Sequence, residues 1–283
     1  MGSVALLEVD GLSKHYGGLA AVDDLSFEVH EGEAFGIAGP NGAGKTTLFD
    51  TITGHARATG GSIRFAGQEI QTRSSHAICQ AGVARTFQIP AVFPDHTVLG
   101  NIIIGSYFGQ TGRLLPGMRF DGTSIDRARE AARFAGIDDR LHVPAGPLPL
   151  VDKKRLMIAS AMATTPRLLM LDEPVGGLNR GEVDAILELI RKIRSSGVTV
   201  VLIEHVMRAL MSMSDRVLVM NHGRLLFDGT PDDVQRHEEV IRVYLGTEPE
   251  TSQEREASAD ALPELREWTA TEPGELDPGA PRA

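Results

Sequence analysis

The sequence predicts an α/β protein built around a mostly parallel β-sheet, and three short apolar segments carry that prediction. Residues 34–38, 168–171 and 198–203 are each almost entirely apolar. Runs of this length and composition are typical of strands buried on both faces of a parallel sheet. A helical pattern follows the first segment, and a second one separates the other two. Strands and helices therefore alternate, as they do in parallel α/β sheets.

The N-terminal side of the chain has a different pattern. Residues 6–10 and 25–29 alternate apolar and polar side chains with a period of two, and Gly17 and Gly18 lie between them. Alternation of this kind indicates strands with one buried face, joined here by a glycine-containing turn. We therefore expect an antiparallel β subdomain at the N-terminal side of the parallel sheet.

The middle of the chain, about residues 91–164, is rich in helical patterns and poor in strand patterns. Helical spacing of apolar residues is clearest at 125–135 and 153–164. Because strand patterns resume at residue 168, we expect a helical subdomain inserted into the α/β core. Further on, 217–220 and 224–227 flank an Asn-His-Gly turn and predict a hairpin.

Bulk composition indicates a protein that does not itself cross a membrane. The chain has 283 residues, of which 42% are hydrophobic, and its longest apolar runs are far shorter than the roughly 20 residues of a membrane span. Its start lacks the basic and apolar regions of a secretory signal. The single cysteine, Cys79, has no internal disulfide partner. These features favour a location on the cytoplasmic side.

The net charge of −10 is concentrated in the last residues. Residues 247–283 hold ten acidic residues and three arginines, a net −7, which leaves −3 for residues 1–246. This segment also has five prolines and few large apolar residues, so we expect a disordered tail with Trp268 as its only obvious anchor. A nearly neutral body without a basic patch argues against nucleic acid as a partner.

A phosphate-binding loop follows the first buried strand. The segment from Gly39 to Thr46 fits the pattern G-x-x-x-x-G-K-[ST] between a strand and a helix, which identifies the core as a P-loop NTPase. Backbone N–H groups of such a loop surround phosphate oxygens, Lys45 neutralises β- and γ-phosphate charge, and Thr46 ligates Mg²⁺. The predicted nucleotide contacts are Asn41, Gly42, Ala43, Gly44, Lys45, Thr46 and Thr47.

Two adjacent carboxylates end the strand at 168–171. Asp172, at the carboxyl end of the strand, is placed to hold the water shell of Mg²⁺. Glu173, next to it, is placed to polarise the attacking water as a general base. The motif therefore predicts hydrolysis of a nucleoside triphosphate with Mg²⁺ and not only its binding.

With these motifs in place, residues 4–246 resemble the ATPases of ABC transporters. The resemblance implies that Tyr16 stacks on adenine and that His205 is the switch histidine of catalysis. It also implies that Gln88 senses the γ-phosphate, ligates Mg²⁺ and contacts a membrane partner. Asn179, within Gly-Gly-Leu-Asn, is similar to the D-loop at the dimer interface, although with Glu182 it equally suits a helix cap.

Within this family, the sequence is most similar to the ATPases of branched-chain amino acid uptake. The resemblance lies in residues 82–88, 163–169, 177–179, 203–207 and 240–246. It implies an ATPase on the cytoplasmic face of the inner membrane, with permease subunits, a second ATPase subunit and an extracytoplasmic solute-binding protein as partners. ATPases of lipopolysaccharide export rank second, and soluble ABC proteins of translation or DNA repair are a third alternative.

One motif of the family is degenerate. The Leu-Ser-Gly-Gly-Gln signature, which reaches the γ-phosphate on the other subunit, falls on Leu148, Pro149, Leu150, Val151 and Asp152. Pro149 has neither a hydroxyl nor an N–H, although proline suits the start of a helix. Val151 puts a branched side chain where backbone approaches phosphate, and Asp152 is expected to add an unfavourable negative charge there.

Two interpretations of this signature stay open. In the first, the variant still binds phosphate through neighbouring N–H groups. In the second, the chain pairs with a different ATPase in an asymmetric heterodimer. Its P-loop, Gln88, Glu173 and His205 then complete one active site with the partner's intact signature, while the opposite site, which uses the degenerate signature, hydrolyses ATP poorly.

Overall fold

The computed structural model describes residues 5–110 and 122–245. The predicted disorder of the tail and the anchoring role of Trp268 lie outside these residues. The chain divides into two compact units, the first ending at Gln235 and the second beginning at Arg236. Among the described residues, no helix combines the length and the apolar content that a membrane span requires.

A four-stranded antiparallel sheet is formed by the N-terminal part of the chain. Its strands are β1 (Ala5–Tyr16), β2 (Leu19–His30), β4 (Gly60–Phe65) and β5 (Gln68–Glu69), in the order β2-β1-β4-β5. Alternating residues of β1 and β2, such as Leu7 and Leu25, are fully buried, which is the one-faced burial that the period of two predicted. The expected antiparallel subdomain is therefore present.

The second sheet has six strands in the order β10-β9-β3-β8-β7-β6. They are β3 (Ala34–Ala38), β6 (Val83–Arg85), β7 (Leu168–Asp172), β8 (Thr199–Ile203), β9 (Arg216–Asn221) and β10 (Arg224–Gly229). All neighbours are parallel except β10, which pairs antiparallel with β9 through the predicted hairpin. Every residue of β3, β7 and β8 is buried, as their continuous apolar runs predicted.

The helices are distributed unevenly between the strands. They are α1 (Lys45–Ile52), α2 (Ser75–Gln80), α3 (Val98–Gln110), α4 (Gly122–Ala135), α5 (Leu150–Met162), α6 (Arg180–Ser195), α7 (Met207–Met213), α8 (Pro231–Arg236) and α9 (Glu238–Leu245), with a 3₁₀ turn at Asp138–Arg140. Three of them, α3, α4 and α5, lie between β6 and β7 and pack on one another. They fall within the predicted helical segment 91–164.

Parallel strand order brings distant segments to one edge of the sheet. The segments that follow β3, β6, β7 and β8 all leave the carboxyl ends of neighbouring parallel strands. These segments contain the phosphate-binding loop, Gln88, Glu173 and His205. In open α/β sheets, ligands bind at this carboxyl edge, so the topology places the predicted site residues where a site is expected.

Candidate active site

The phosphate-binding loop is closely packed at its two ends. Gly39 has φ +150° and Gly44 has φ +99°, both with positive φ. A Cβ on Gly39 would lie 2.4 Å from the carbonyl oxygen of Met220, and one on Gly44 would lie 2.1 Å from that of Ala21. Only glycine fits both positions, because the backbone conformation and the available space each exclude a side chain.

Lys45 is enclosed by the loop that precedes it. Its Nζ donates to the carbonyl oxygens of Gly39 at 2.6 Å and Pro40 at 2.9 Å, and the residue is only 6% exposed. Burial lowers the pKa of Lys45 to about 8, and the carboxylates of Glu173 and Asp172 partly oppose this shift. The loop is therefore held around a buried cation, which is the arrangement that a phosphate chain requires.

The remaining loop residues leave room for a ligand. Asn41, Gly42 and Thr46 are exposed, and a Cβ on Gly42 would meet no atom within 4 Å. Open backbone next to a buried cation, at the N-terminus of α1, fits the triphosphate of ATP. The predicted nucleotide contacts from Asn41 to Thr47 all lie in this loop and at the start of α1, and they stay predictions.

Glu173 lies at the centre of the site. It follows β7 directly and has a φ of +47°, the left-handed region that non-glycine residues rarely adopt. Its Oε1 lies 2.7 Å from Nε2 of His205, and its Oε2 accepts a hydrogen bond of 2.7 Å from Nε2 of Gln88. The three residues predicted from separate motifs are therefore brought together around one carboxylate.

The ring of His205 faces the Glu173 carboxylate through Nε2. Burial lowers its pKa below the ordinary value and the charge of Lys45 adds to this shift, while the carboxylate of Glu173 opposes it. A neutral ring that faces a carboxylate through Nε2 donates its single N–H there. His205 therefore orients the Glu173 carboxylate by a hydrogen bond.

Asp172 is paired with a residue that the sequence argument did not assign. The Nη2 of Arg85 lies 2.8 Å from Oδ2 of Asp172, and its Nη1 lies 2.5 Å from Oδ1 of Asp50. Burial raises the pKa of Asp172, and the hydrogen bond and charge of Arg85 oppose that shift. One indication of this role was present in the sequence, since Arg85 is a single charged residue that ends a short, mostly buried strand three residues before Gln88.

The described residues contain no cluster of three or more His, Cys, Asp or Glu side chains that could hold a metal by itself. The oxygen atoms that could bind a metal in this site belong to Thr46, which is exposed at the start of α1, and to Asp172 and Gln88 at the carboxyl edge of the sheet. Mg²⁺ commonly takes one or two protein oxygens and completes its shell with substrate phosphates and water. Oxygen donors next to a phosphate loop are consistent with this coordination.

Tyr16 is at the tip of the β1–β2 hairpin. Its ring is half exposed, with Nζ of Lys14 4.5 Å from the ring centroid. The same hairpin approaches the phosphate loop, because the carbonyl of Ala21 on β2 lies against Gly44. An exposed aromatic ring on this hairpin is available to stack on a base, as the resemblance implied.

Asn179 forms the helix cap that was the alternative interpretation of its motif. Its side chain accepts a hydrogen bond from the N–H of Glu182 at 3.1 Å, and the Glu182 side chain accepts one from the N–H of Asn179 at 3.0 Å. This capping box begins α6. Asn179 therefore has a local role as a helix cap, and its role at a dimer interface stays a prediction.

The degenerate signature begins α5, but one expectation about it was wrong. Pro149 caps the helix without any side-chain hydrogen bond, as its chemistry dictates. Asp152, however, is only 5% exposed, with Oδ2 2.8 Å from Nη1 of Arg140 and Oδ1 3.7 Å from Nη1 of Arg155. Its charge is therefore compensated within the chain and is not an unpaired anion facing phosphate.

Two further buried charges lie behind Glu173. Lys154 on α5 is 3% exposed and its Nζ donates to the carbonyl oxygen of Glu173 at 2.6 Å. Glu204, directly before His205, is 2% exposed and accepts hydrogen bonds from the N–H groups of Val175 at 2.7 Å and His205 at 3.2 Å. The sequence argument missed both residues, and the position of Glu204 after a buried strand was the only signal.

Glu204 makes folding stability pH-dependent. Burial raises its pKa from 4.5 to about 7, against the opposing effects of the Val175 and Val206 N–H groups and Lys154, while Glu173 adds to the rise. Between these pKa values the folded state binds more protons than the unfolded state, so the contribution of Glu204 to stability rises as the pH falls.

Relative to Glu204→Gln, the wild type should gain about 2 kcal/mol in unfolding free energy when the pH is lowered from about 8 to 5.5.

Urea denaturation at both pH values measures this difference. The control is Glu188→Gln on α6, which removes an exposed carboxyl without touching the surroundings of Glu204. A wild-type minus Glu204→Gln difference that stays constant with pH would contradict the raised pKa of Glu204.

Comparison with family models and curated relatives gives a consistent result. A model described as "ABC transporter" matches residues 22–176, and one described as "Branched-chain amino acid ATP-binding cassette transporter" matches residues 224–250. The high-affinity branched-chain amino acid transport ATP-binding protein BraF of Pseudomonas aeruginosa is 42% identical over 250 residues, covering 85% of this chain and 98% of that protein. LivG of Salmonella typhimurium, with the same description, is 38% identical over 86% of this chain and 99% of that protein.

Solved structures agree with the described fold. A nucleotide-free ATP-binding cassette from an ABC transporter superposes with a TM-score of 0.78 at 26% identity, covering 86% of this chain and all of that one.

Proposed function

This chain belongs to the family of ABC transporter ATP-binding proteins, and we propose that it powers the import of branched-chain amino acids or similar small solutes. The proposed class of solute rests on the match to BraF and LivG over nearly their whole length. The match of residues 224–250 to the branched-chain amino acid model supports the same class independently of the ATPase motifs. The chain is the ATPase subunit of its transporter.

The proposed chemistry of hydrolysis centres on Glu173. Gln88 and His205 each donate to one oxygen of its carboxylate, so the side chain is held in a single orientation between them. A carboxylate oriented in this way can accept the proton of a water molecule that attacks the γ-phosphate. The buried ammonium of Lys45 would neutralise charge on the phosphate oxygens.

Three residues are proposed to hold Mg²⁺. Bound Mg²⁺ would neutralise charge that develops on the transferred phosphoryl group. Thr46 would ligate the ion directly, Asp172 would hold its water shell, and Gln88 would reach it from the other side of the site. Arg85 would keep Asp172 ionised and fixed in orientation.

The permease partner is proposed to dock beside Gln88. The exposed apolar side chains of Phe87, Ile89 and Phe93 surround this residue along the chain, and Ile89 is 80% exposed. Exposed apolar residues that cluster in this way commonly mark a protein interface. Docking there would link γ-phosphate sensing by Gln88 to the permease, at the cytoplasmic face of the inner membrane.

A second ATPase subunit is the other proposed partner, with a heterodimer favoured over a homodimer. Pro149 deprives the signature of a hydroxyl and an N–H, and Val151 blocks close approach of the backbone. Because Asp152 is paired with Arg140, charge repulsion between Asp152 and phosphate does not favour the heterodimer. The heterodimer is favoured by the missing hydroxyl and N–H donors of the signature. An extracytoplasmic solute-binding protein would complete an importer.

Purification through this chain tests the proposal. Detergent extracts should yield permease subunits and a second ATPase together with the chain. After reconstitution in vesicles with the binding protein, leucine, isoleucine or valine should stimulate ATP hydrolysis, whereas an acidic or basic amino acid should not. Stimulation by a lipid-linked saccharide instead would establish an exporter and overturn the proposal.

A further inference from the structure

The loop after Glu173 is held from two directions by buried charged residues. The backbone of Glu173 has φ +47°, and its N–H donates to Ile203 of the neighbouring strand at 2.9 Å. Its carbonyl oxygen accepts from Lys154 at 2.6 Å, while the nearest backbone donor, the N–H of Gly176, is at 3.3 Å. Lys154 is therefore the stronger partner of this carbonyl.

Glu204 holds the next part of the same loop. Its Oε1 accepts from the N–H of Val175 at 2.7 Å, and its Oε2 accepts from the N–H of His205. Lys154 is the cation whose charge favours the ionised form of Glu204. One buried carboxylate thus connects the loop that follows Glu173 with the histidine that contacts the Glu173 side chain.

The first two turns of α5 face this loop. Leu150 packs against Gly177, where an added Cβ would lie 3.1 Å from Cδ2 of the leucine. Lys154 follows four residues later and so projects from the same face of the helix. The signature helix therefore contacts the chain's own Glu173 loop at two successive turns.

We infer that Lys154 and Glu204 are positioning residues for ATP hydrolysis, which hold residues 173–176 so that the Glu173 carboxylate stays between Gln88 and His205. Without Lys154, the Glu173 backbone would lose its shortest carbonyl contact and relax from the left-handed region, since non-glycine residues favour negative φ. The carboxylate would then move away from its two donors. This inference rests on the proposed role of Glu173 as the general base.

The first test is Lys154→Met in the complete transporter complex purified through this chain. We expect kcat to fall about 10- to 100-fold because small displacements of a catalytic group are that costly. KM for ATP and the Kd of a non-hydrolysable ATP analogue should stay unchanged because the Lys45 loop is untouched. The matched control is Lys192→Met, which removes a lysine that donates to a backbone carbonyl, Phe134, away from the site.

Glu204 gives a second, independent test. Glu204→Ala should lower kcat and accelerate amide hydrogen exchange at Val175, whose N–H loses its acceptor. Glu204→Gln keeps an acceptor oxygen and should restore most of kcat and of the exchange protection. Glu204→Met fills a similar space but offers the Val175 and His205 N–H groups no oxygen acceptor, so it should restore neither kcat nor the exchange protection. Rescue by methionine as well as by glutamine would show that the side chain only fills space.

The outcomes separate this inference from the function on which it rests. Wild-type kcat in Lys154→Met, or equal losses in Lys154→Met and Lys192→Met, would overturn the positioning role while Glu173→Gln still abolished turnover. An active Glu173→Gln would instead remove the proposed base itself. If Lys154→Met does not fold, as judged by its melting curve, the pair Glu204→Ala and Glu204→Gln decides the question.

Discussion

Replacing Glu173 by glutamine should lower ATP turnover by about 10²- to 10⁴-fold while ATP binding is retained, because a general base typically contributes that much. Glutamine has the same shape and keeps an acceptor toward one of the two donors, Gln88 and His205, but it accepts no proton from water. Nucleotide binding relies instead on Lys45 and the open loop around it, which the substitution leaves intact.

Single-turnover hydrolysis and equilibrium nucleotide binding in the assembled transporter measure the two quantities separately. Lys45→Ala is the counterpart, since it should weaken binding itself. Glu188→Gln, which removes an exposed carboxyl of α6 outside the site, should leave turnover within about twofold. A Glu173→Gln complex that hydrolysed ATP at the wild-type rate would remove Glu173 as the base.

The degenerate signature predicts unequal active sites in a dimer with an intact partner ATPase. Lys45→Ala in this chain disables the site completed by the partner's signature, and most turnover should be lost. Removing the corresponding lysine of the partner should cost at least about tenfold less, because charge-assisted donors at a phosphate contribute about 1.5–3 kcal/mol each. The isolated chain should bind Mg-ATP yet dimerise and hydrolyse weakly.

Steady-state ATPase rates of the two lysine variants in the same complex measure the asymmetry. The combined change Pro149→Ser and Val151→Gly restores a hydroxyl, an N–H and a close backbone approach, so it should make the partner's lysine as important as Lys45. Asp152 is left in place because its charge is already paired with Arg140. Equal losses from the two lysine variants, or fast hydrolysis by this chain alone, would contradict the heterodimer.

The sequence was a reliable guide wherever function depends on local order. The phosphate loop is recognisable because its glycine backbone and the side chains of Lys45 and Thr46 act from one short segment with fixed spacing. Glu173 was predicted because it follows a buried strand, whereas Gln88 and His205 were predicted only from the resemblance to the family. The structure places all three after parallel strands that end at one edge of the sheet. The structure joins these three residues through the two oxygens of one carboxylate.

The residues that sequence reasoning missed act through partners far away along the chain. Arg85 pairs with Asp172 across 87 residues, and Glu204 holds Val175 across 29. Lys154 reaches the carbonyl of Glu173 across 19 residues. No local spacing encodes such contacts, since they depend on how α5, β6, β7 and β8 are placed together.

For Asp152, sequence reasoning predicted an unfavourable charge that the structure does not show. In sequence it is an acid beside a phosphate-binding motif, whereas in the structure it is a buried carboxylate paired with Arg140, which comes from the preceding 3₁₀ turn. The missing N–H and hydroxyl of Pro149, by contrast, follow from covalent chemistry and hold in any fold. The sequence alone thus determined which donors and acceptors exist and the fold class that groups the motifs. Only the tertiary structure decided which buried charges neutralise one another, because desolvation and pairing depend on distances across the fold.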